Sequence, residues 1–257
     1  MKFTYSIFLF LFVLISCTKE NTPPTPPQPI ETPTGEMILD LDPKWGAGDL
    51  ILGQTYTNAS NESITPTVFR YYVSNVALTT TTGEIWNQTE SYYLVDHANG
   101  KQALVITGVP EGAYRSISFS IGVDSLRNVS GAQEGALDPI KGMFWSWNTG
   151  YIFSKFEGTS PQSTEANQRF SYHVGGFKSP NNALRRVTLS FPHEEHGGVE
   201  VNRMATPEVH IHADASGLFN RSHAISVASD HICHMPGALA MKIADNYQGI
   251  FTIDHVH

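Results

Sequence analysis

The chain reads as an all-β protein, an antiparallel β-sandwich of Ig-like or Greek-key type with long loops and one short helix near the C-terminus. Two observations predict this. Short apolar runs alternate with polar residues at a period of two, and clusters of Gly, Pro, Asn and Ser separate them. No second linker and no internal repeat divides the folded part of the 257 residues. A period of two sends successive side chains to opposite faces, so each run has one face to bury and one to wet.

The leader comes first. Lys2 precedes an almost unbroken apolar run over residues 7–15. That run is too short to span a bilayer as a mature helix and reads as a signal peptide, residues 1–16. It ends in Leu14-Ile15-Ser16-Cys17, the pattern of a bacterial lipobox, so Cys17 is expected to become the lipidated first residue. Thr18 follows where an Asp would favour the inner membrane, which points to an outer-membrane lipoprotein facing either the periplasm or the cell surface. Residues 17–35 form a tether, because Pro23-Pro24-Thr25-Pro26-Pro27-Gln28-Pro29 favours extended polyproline and cannot build a core. The folded domain is expected over residues 36–257.

Within it, strands are predicted at residues 37–41, 69–78, 91–95, 103–106, 116–123, 187–191 and 209–213. Residues 130–154, where Gly and Pro punctuate aromatic runs, read as a functional loop rather than a plain strand. The helix is predicted over residues 236–247. Pro236 suits a first turn, Leu239, Ala240, Ile243 and Ala244 share a face, and Asn246 and Gly249 mark the end.

Charge and cysteine content exclude several classes. The chain carries −8, and loss of Lys2 with the leader makes the mature protein more negative still. An acidic surface without a basic stripe argues against nucleic acid and suits an exported domain that attracts cations. With Cys17 acylated, only Cys233 remains, so no intrachain disulfide forms; that thiol is either buried packing or a soft ligand.

Ten of the eleven histidines fall between His173 and His257. Residues i and i+2 of a strand share a face, so His210-Ile211-His212 is the leading ligand pair, with Asp214 behind His212 as an acceptor that would orient it. His231, His234 and Met235 form a soft cluster entering the helix, with Met235 either ligand or packing. His255 and His257 read as frayed surface residues at the end of the chain. His193-Glu194-Glu195-His196 is spaced i, i+3 between Pro192 and Gly197, which fails the metalloprotease pattern and reads as a solvated hairpin loop. No Gly-x-Ser-x-Gly elbow, phosphate loop or dinucleotide fingerprint occurs, and no enzymatic activity is predicted.

The segment Gly142-Met143-Phe144-Trp145-Ser146-Trp147-Asn148-Thr149-Gly150-Tyr151 holds two of the four tryptophans. Taken with Tyr71-Tyr72-Val73-Ser74-Asn75-Val76, Gly122-Val123-Asp124-Ser125, Lys155-Phe156-Glu157-Gly158 and Tyr172-His173-Val174-Gly175-Gly176-Phe177, it resembles the MbnP family of exported copper-binding proteins. The resemblance covers most of the mature chain. It implies copper, as Cu+ or Cu2+, held by histidines together with a kynurenine made from tryptophan, and an MbnH-like dihaem partner of the MauG family. It nominates Trp145 or Trp147 as the modified residue, and His173 as either a ligand or a hydrogen-bonded core residue. One departure stands out: copper-repressible relatives carry a histidine two residues after the modified tryptophan, and here those positions are Trp147 and Thr149. The expected function is copper acquisition, buffering or delivery in the bacterial envelope. A metal-free, glycan-binding surface lipoprotein and an envelope metalloenzyme are the rival classes.

Overall fold

The computed structural model describes residues 32–99, 102–131, 133–147, 150–192 and 197–257. The leader, Cys17, most of the tether, and the His193–His196 segment lie outside the described residues. Sixteen strands are present among the described residues. They are β1 (Thr34–Trp45), β2 (Gly48–Asp49), β3 (Tyr56–Thr57), β4 (Ser63–Thr80), β5 (Ile85–Asn87), β6 (Tyr92–Asp96), β7 (Ala103–Pro110) and β8 (Gly112–Ile121). There follow β9 (Phe144–Trp145), β10 (Gly150–Thr159), β11 (Arg169–Gly175), β12 (Arg185–Ser190), β13 (Val199–Val201), β14 (Glu208–Asp214), β15 (Ile232–Cys233) and β16 (Phe251–Val256). The α-helices are α1 (Ser125–Val129) and α2 (Ala238–Gln248).

The fold is all-β, in two sheets. The larger runs β12-β8-β4-β10-β11-β15, with β4 as its spine and β3, β5, β6, β9 and β13 as short additions. The smaller runs β16-β14-β1-β2, with β7 also on β1. Their inner faces meet through aromatic rings: Phe251 of β16 packs edge-on against Tyr71 of β4 at 5.6 Å and Phe119 of β8 at 5.5 Å. Offset and edge-to-face pairs of this kind contribute about 0.5–1.5 kcal/mol beyond the area they bury.

Every strand predicted from alternation overlaps an observed strand, with 91–95, 116–123 and 187–191 each overrunning β6, β8 and β12 by one or two residues. The sandwich is not antiparallel throughout, because β1 pairs with β14, and β11 with β15, in parallel. Only the β1–β14 pairing places Asp40 beside His210 and Asp42 beside His212, since the register is residue-for-residue. β1 also takes in Thr34 and Gly35, two residues assigned above to the tether.

The segment 130–154 is a loop only in its first part. It makes two 3-10 turns and the short β9, then enters β10, whose first five residues are all buried and which runs on between β4 and β11. Aromatic density at its C-terminal end marks a central strand, with period two hidden because both faces are covered.

The C-terminal helix starts at Ala238 rather than Pro236. Gly176 explains this: a Cβ there would stand 2.9 Å from the Pro236 ring, so Pro236 serves as packing against β11 and Gly237 becomes the cap. Gly249 is the C-cap, as expected, and Asn246 lies in the last turn. Its amide is fully buried, accepts from the Ser222 and His223 N–H groups, and donates to the Leu218 and His223 carbonyls. A helix of five residues, α1, is an addition to the expected set, capped by the Asp124 carboxylate accepting from Arg127 N–H.

Candidate metal centre

The aromatic loop is pinned from three sides. Tyr72 and Tyr151 donate their hydroxyls to the Ala136 and Leu137 carbonyls at 3.1 and 2.8 Å. Lys155 reaches back from β10 to donate to the Gly142 carbonyl at 2.7 Å, with its amine held below the usual lysine range by burial. Asn128 of α1 accepts from Tyr151 N–H at 2.9 Å. So anchored, the loop drives Trp145 into the protein against Gly175. A Cβ at Gly175 would meet the Tyr151 carbonyl at 2.5 Å and the Trp145 ring at 2.8 Å, which is why the strand needs glycine there. Trp145 is buried, and its indole N–H finds no acceptor.

Trp147 takes the opposite course. It is 60 % exposed, its ring 5.7 Å from that of Trp145, and it lines a groove of about 440 Å³ with Cys233, His234, Met235 and Pro236. His173 of β11 stacks on His234 at 4.4 Å. Both Nε2 atoms hydrogen-bond with the Ser171 hydroxyl, at 3.1 Å from His173 and 2.8 Å from His234, which joins the two imidazoles through one oxygen. Glu157 of β10 accepts from His173 Nε2 at 2.5 Å, and that bond, aided by His173, Lys155 and Arg169, holds its carboxyl below the usual range. Burial and the neighbouring His173 lower the basicity of His234.

This donor set fits copper. It offers two stacked imidazoles joined through Ser171 and an exposed thioether on Met235 in the groove that His234 lines. To ligate a metal through Nε2, His173 would give up the proton it donates to Glu157. Cys233 is buried beside His234, and burial pushes its thiol up to about 12. His231 turns away, with Nε2 3.5 Å from Glu165.

His210, His212, His255 and His257 assemble elsewhere, on the outer face of the smaller sheet. His210 and His212 share that face, but each turns to a different neighbour. His210 stacks on His255 of β16 at 4.4 Å, while His212 Nε2 lies 3.7 Å from the Asp254 carboxylate. Asp214 does not back up His212. Its Oδ1 accepts from Gly46 N–H at 2.8 Å and from the backbone and hydroxyl of Ser216 at 3.0 and 2.7 Å, capping the turn Ala215–Phe219. His255 and His257 are not frayed: His255 pairs with His210 in the β14–β16 ladder, and His257 exchanges both backbone hydrogen bonds with Glu208. Strand pairing between distant segments brought these residues together, and no local pattern shows that. Of the five ligand candidates, His173, His234 and Met235 therefore gather at the aromatic loop, and His210 and His212 lie on the outer face.

The quoted motifs, scattered over a hundred residues, are joined on adjacent strands of the larger sheet. Ser74 of β4 donates to the Gly122 carbonyl at 2.8 Å, and Gly122 lies against Phe153 of β10. No curated protein sequence matches the chain. The solved structure of MbnP from Methylosinus trichosporium is similar in fold, at 16 % identity and a TM-score of 0.50, over 80 % of this chain and 83 % of that one. The sequence model of MbnP matches residues 34–235, from the first strand to Met235, and the chain belongs to the MbnP family.

Proposed function

We propose that this protein is a lipid-anchored carrier of the bacterial envelope that binds copper at the aromatic loop, through His173, His234, Met235 and a kynurenine made from Trp147. One observation carries the reading: an exposed Trp147 shares a groove with His234 and Met235, beside the stacked His173. Membership of the MbnP family supports it. Trp147 is favoured over Trp145 because removal of electrons by a separate dihaem protein needs an accessible indole, and Trp145 is buried behind Gly175. Kynurenine would add an aromatic amine and a ketone where indole offers only an N–H donor. The role is capture and delivery of copper without turnover.

Peptide mass spectrometry over residues 142–155 tests the modification. Protein made in its native envelope with its dihaem partner should show Trp147 having lost one carbon and gained one oxygen, and cytoplasmic protein should show intact tryptophan. Tight copper binding by native protein whose tryptophans are all intact would remove the kynurenine from the site. The anchor has its own test. Cys17→Ser should release the protein from the membrane fraction, and unchanged partitioning would refute lipidation at Cys17. Among the described residues no helix is long and apolar enough to cross a membrane.

A further inference from the structure

We propose that the outer face of the smaller sheet holds a second metal site, in which His210, His255 and His257 bind one divalent ion of Zn2+ or Cu2+ type, independently of the aromatic loop. The argument starts from register. β14 lies between β1 and β16, so Asp40, His210 and His255 form one row across three strands. Glu208 and His257 fall in the next row. On β14 and β1 these residues alternate with buried ones (Val209 and Ile211, Leu39 and Leu41), so the row faces outward while the sheet's inner face fills the core.

A bulge completes the arrangement. The β14–β16 ladder slips between His210 and Ile211, leaving Asp254 as an extra residue on β16. Two consecutive residues, Asp254 and His255, are therefore both exposed, which strict alternation forbids. Asp254 can then accept from its own neighbour, His255 Nδ1–H, at 2.6 Å. With the proton placed on Nδ1, His255 Nε2 presents its lone pair, and it faces His257 Nε2 at 3.0 Å. A carboxylate that fixes the tautomer of an imidazole is the usual companion of a metal-ligating histidine.

The distances match the chemistry. Two nitrogens bound to tetrahedral zinc at 2.0–2.1 Å stand about 3.3 Å apart. One ligand atom from each of His210, His255 and His257 lies within 4.8 Å of the others, so small side-chain rotations close the set. The proton now lying between His255 and His257 is what the ion would replace.

Charge explains why the ion should be divalent. Asp40 and Asp42 lie 3.8 and 3.7 Å from His210 Nδ1, and Glu208 lies 3.7 Å from its Nε2, all beyond hydrogen-bonding distance. Asp40 Oδ1 is buried without a hydrogen bond. The nearby cation, Lys44, is held by Asp49 at 2.6 Å. Carboxylates thus outnumber cations around His210, and a bound 2+ ion offsets them. His255 and His257 lie beyond residue 235, where the match to the MbnP sequence model ends, and the donor set contains no tryptophan.

The test uses the complete mature chain, free of any tag, made in the cytoplasm so that its tryptophans stay intact, and stripped with chelator. Zn2+ is titrated in competition with a chromophoric chelator. Wild type should take up one equivalent at this site. His255→Ala/His257→Ala should bind at least about 100-fold more weakly, the upper end of what losing only an outer partner brings. Asp254→Asn should weaken binding about 10-fold while leaving all three imidazoles in place. His234→Ala should bind Zn2+ here as wild type does, which separates this site from the copper reading. Should the double variant lose its thermal transition, His257→Gln alone carries the test. Wild-type zinc affinity in a folded His255→Ala/His257→Ala or His257→Gln variant overturns the proposal, as does a wild-type chain that takes up no zinc.

Discussion

His173 and His234 stack with their rings 4.4 Å apart, and so do His210 and His255, yet the two pairs sit in opposite surroundings. The first rests on buried aromatics, with Trp145 wedged against Gly175 and the single carboxylate Glu157 offset by Lys155 and Arg169. The second stands on a solvent-facing sheet among Asp40, Asp42, Glu208 and Asp254. Ring separation alone therefore says little about the ion. The charge balance around the rings discriminates: a compensated, partly buried pair with a thioether suits a soft ion of low charge, and an acidic open face suits a divalent one. The clusters differ in how they are built as well. Close packing positions the first, and strand register positions the second.

If packing builds the aromatic-loop site, adding volume there should hurt most. Gly175→Ala is expected to destabilise the protein by about 2–3 kcal/mol, because the new methyl would stand inside contact distance of both Tyr151 O and the Trp145 ring. Thermal unfolding with tryptophan fluorescence measures it, and zinc uptake on the outer face should persist in the folded variant. A fully stable Gly175→Ala would mean that the loop is not wedged as described.

Next in size is Glu62, a buried carboxylate that accepts from Asn58, Ser226 Oγ, and the Val227 and Ala228 N–H groups at 2.6–2.9 Å. It ties the segment leading to His231, His234 and Met235 onto the start of β4. Burial raises its pKa, but the four hydrogen bonds outweigh burial and leave it below the ordinary 4.5. A carboxyl whose folded pKa is depressed adds stability above its unfolded pKa and loses it as pH falls through the folded one. Glu62→Gln should therefore lose about 2 kcal/mol at neutral pH, the scale of hydrogen bonds to a charged group, and the gap to wild type should close below about pH 4. Denaturant unfolding at pH 7 and at pH 3 checks both halves. An equal gap at the two pH values would disprove the linkage.

A smaller change separates the clusters directly. His234→Ala should weaken copper binding at the aromatic loop about 10-fold or more, equivalent to about 1.4 kcal/mol. Competition titration with Cu+ reads this on native protein, and unchanged affinity would place the copper ligands elsewhere. The smallest effect is at Asp40, whose pKa is raised above 3.8, first by burial and then by Asp42. A raised carboxyl pKa means that the ionised form burdens the folded state at neutral pH, and that this burden disappears below the ordinary value. Asp40→Asn should thus stabilise the metal-free chain by less than about 1 kcal/mol, the scale of one partly exposed charge pair. The same variant should weaken zinc uptake. Stability bought this way at the expense of a site is the signature of a functional group. Loss of stability in the metal-free variant would contradict the repulsion.

Much of the architecture was legible in the chain. Alternation located the strands at residues 37–41 and 209–213 because each has one face in the core and one turned outward, and the motif residues around Trp145 indicated the family because their packing needs those residue types. The start of β10 escaped, since its first five residues are all buried and show no alternation. The start of the helix was misplaced because Pro236 answers to Gly176, sixty residues earlier, rather than to the helix it precedes.

The histidines divide along the same line. Sequence by itself determined that His210 and His212 share a face and that His173, His234 and Met235 lie in soft or motif-rich surroundings, because those are properties of neighbours along the chain. Only the tertiary structure decided that His210 belongs with His255 and His257, that Asp214 caps a turn, and that Trp147 is exposed while Trp145 is buried. These depend on which strands pair, in what register, and where one bulge falls. Such choices are settled by the energy of the whole core and leave no mark at any single position.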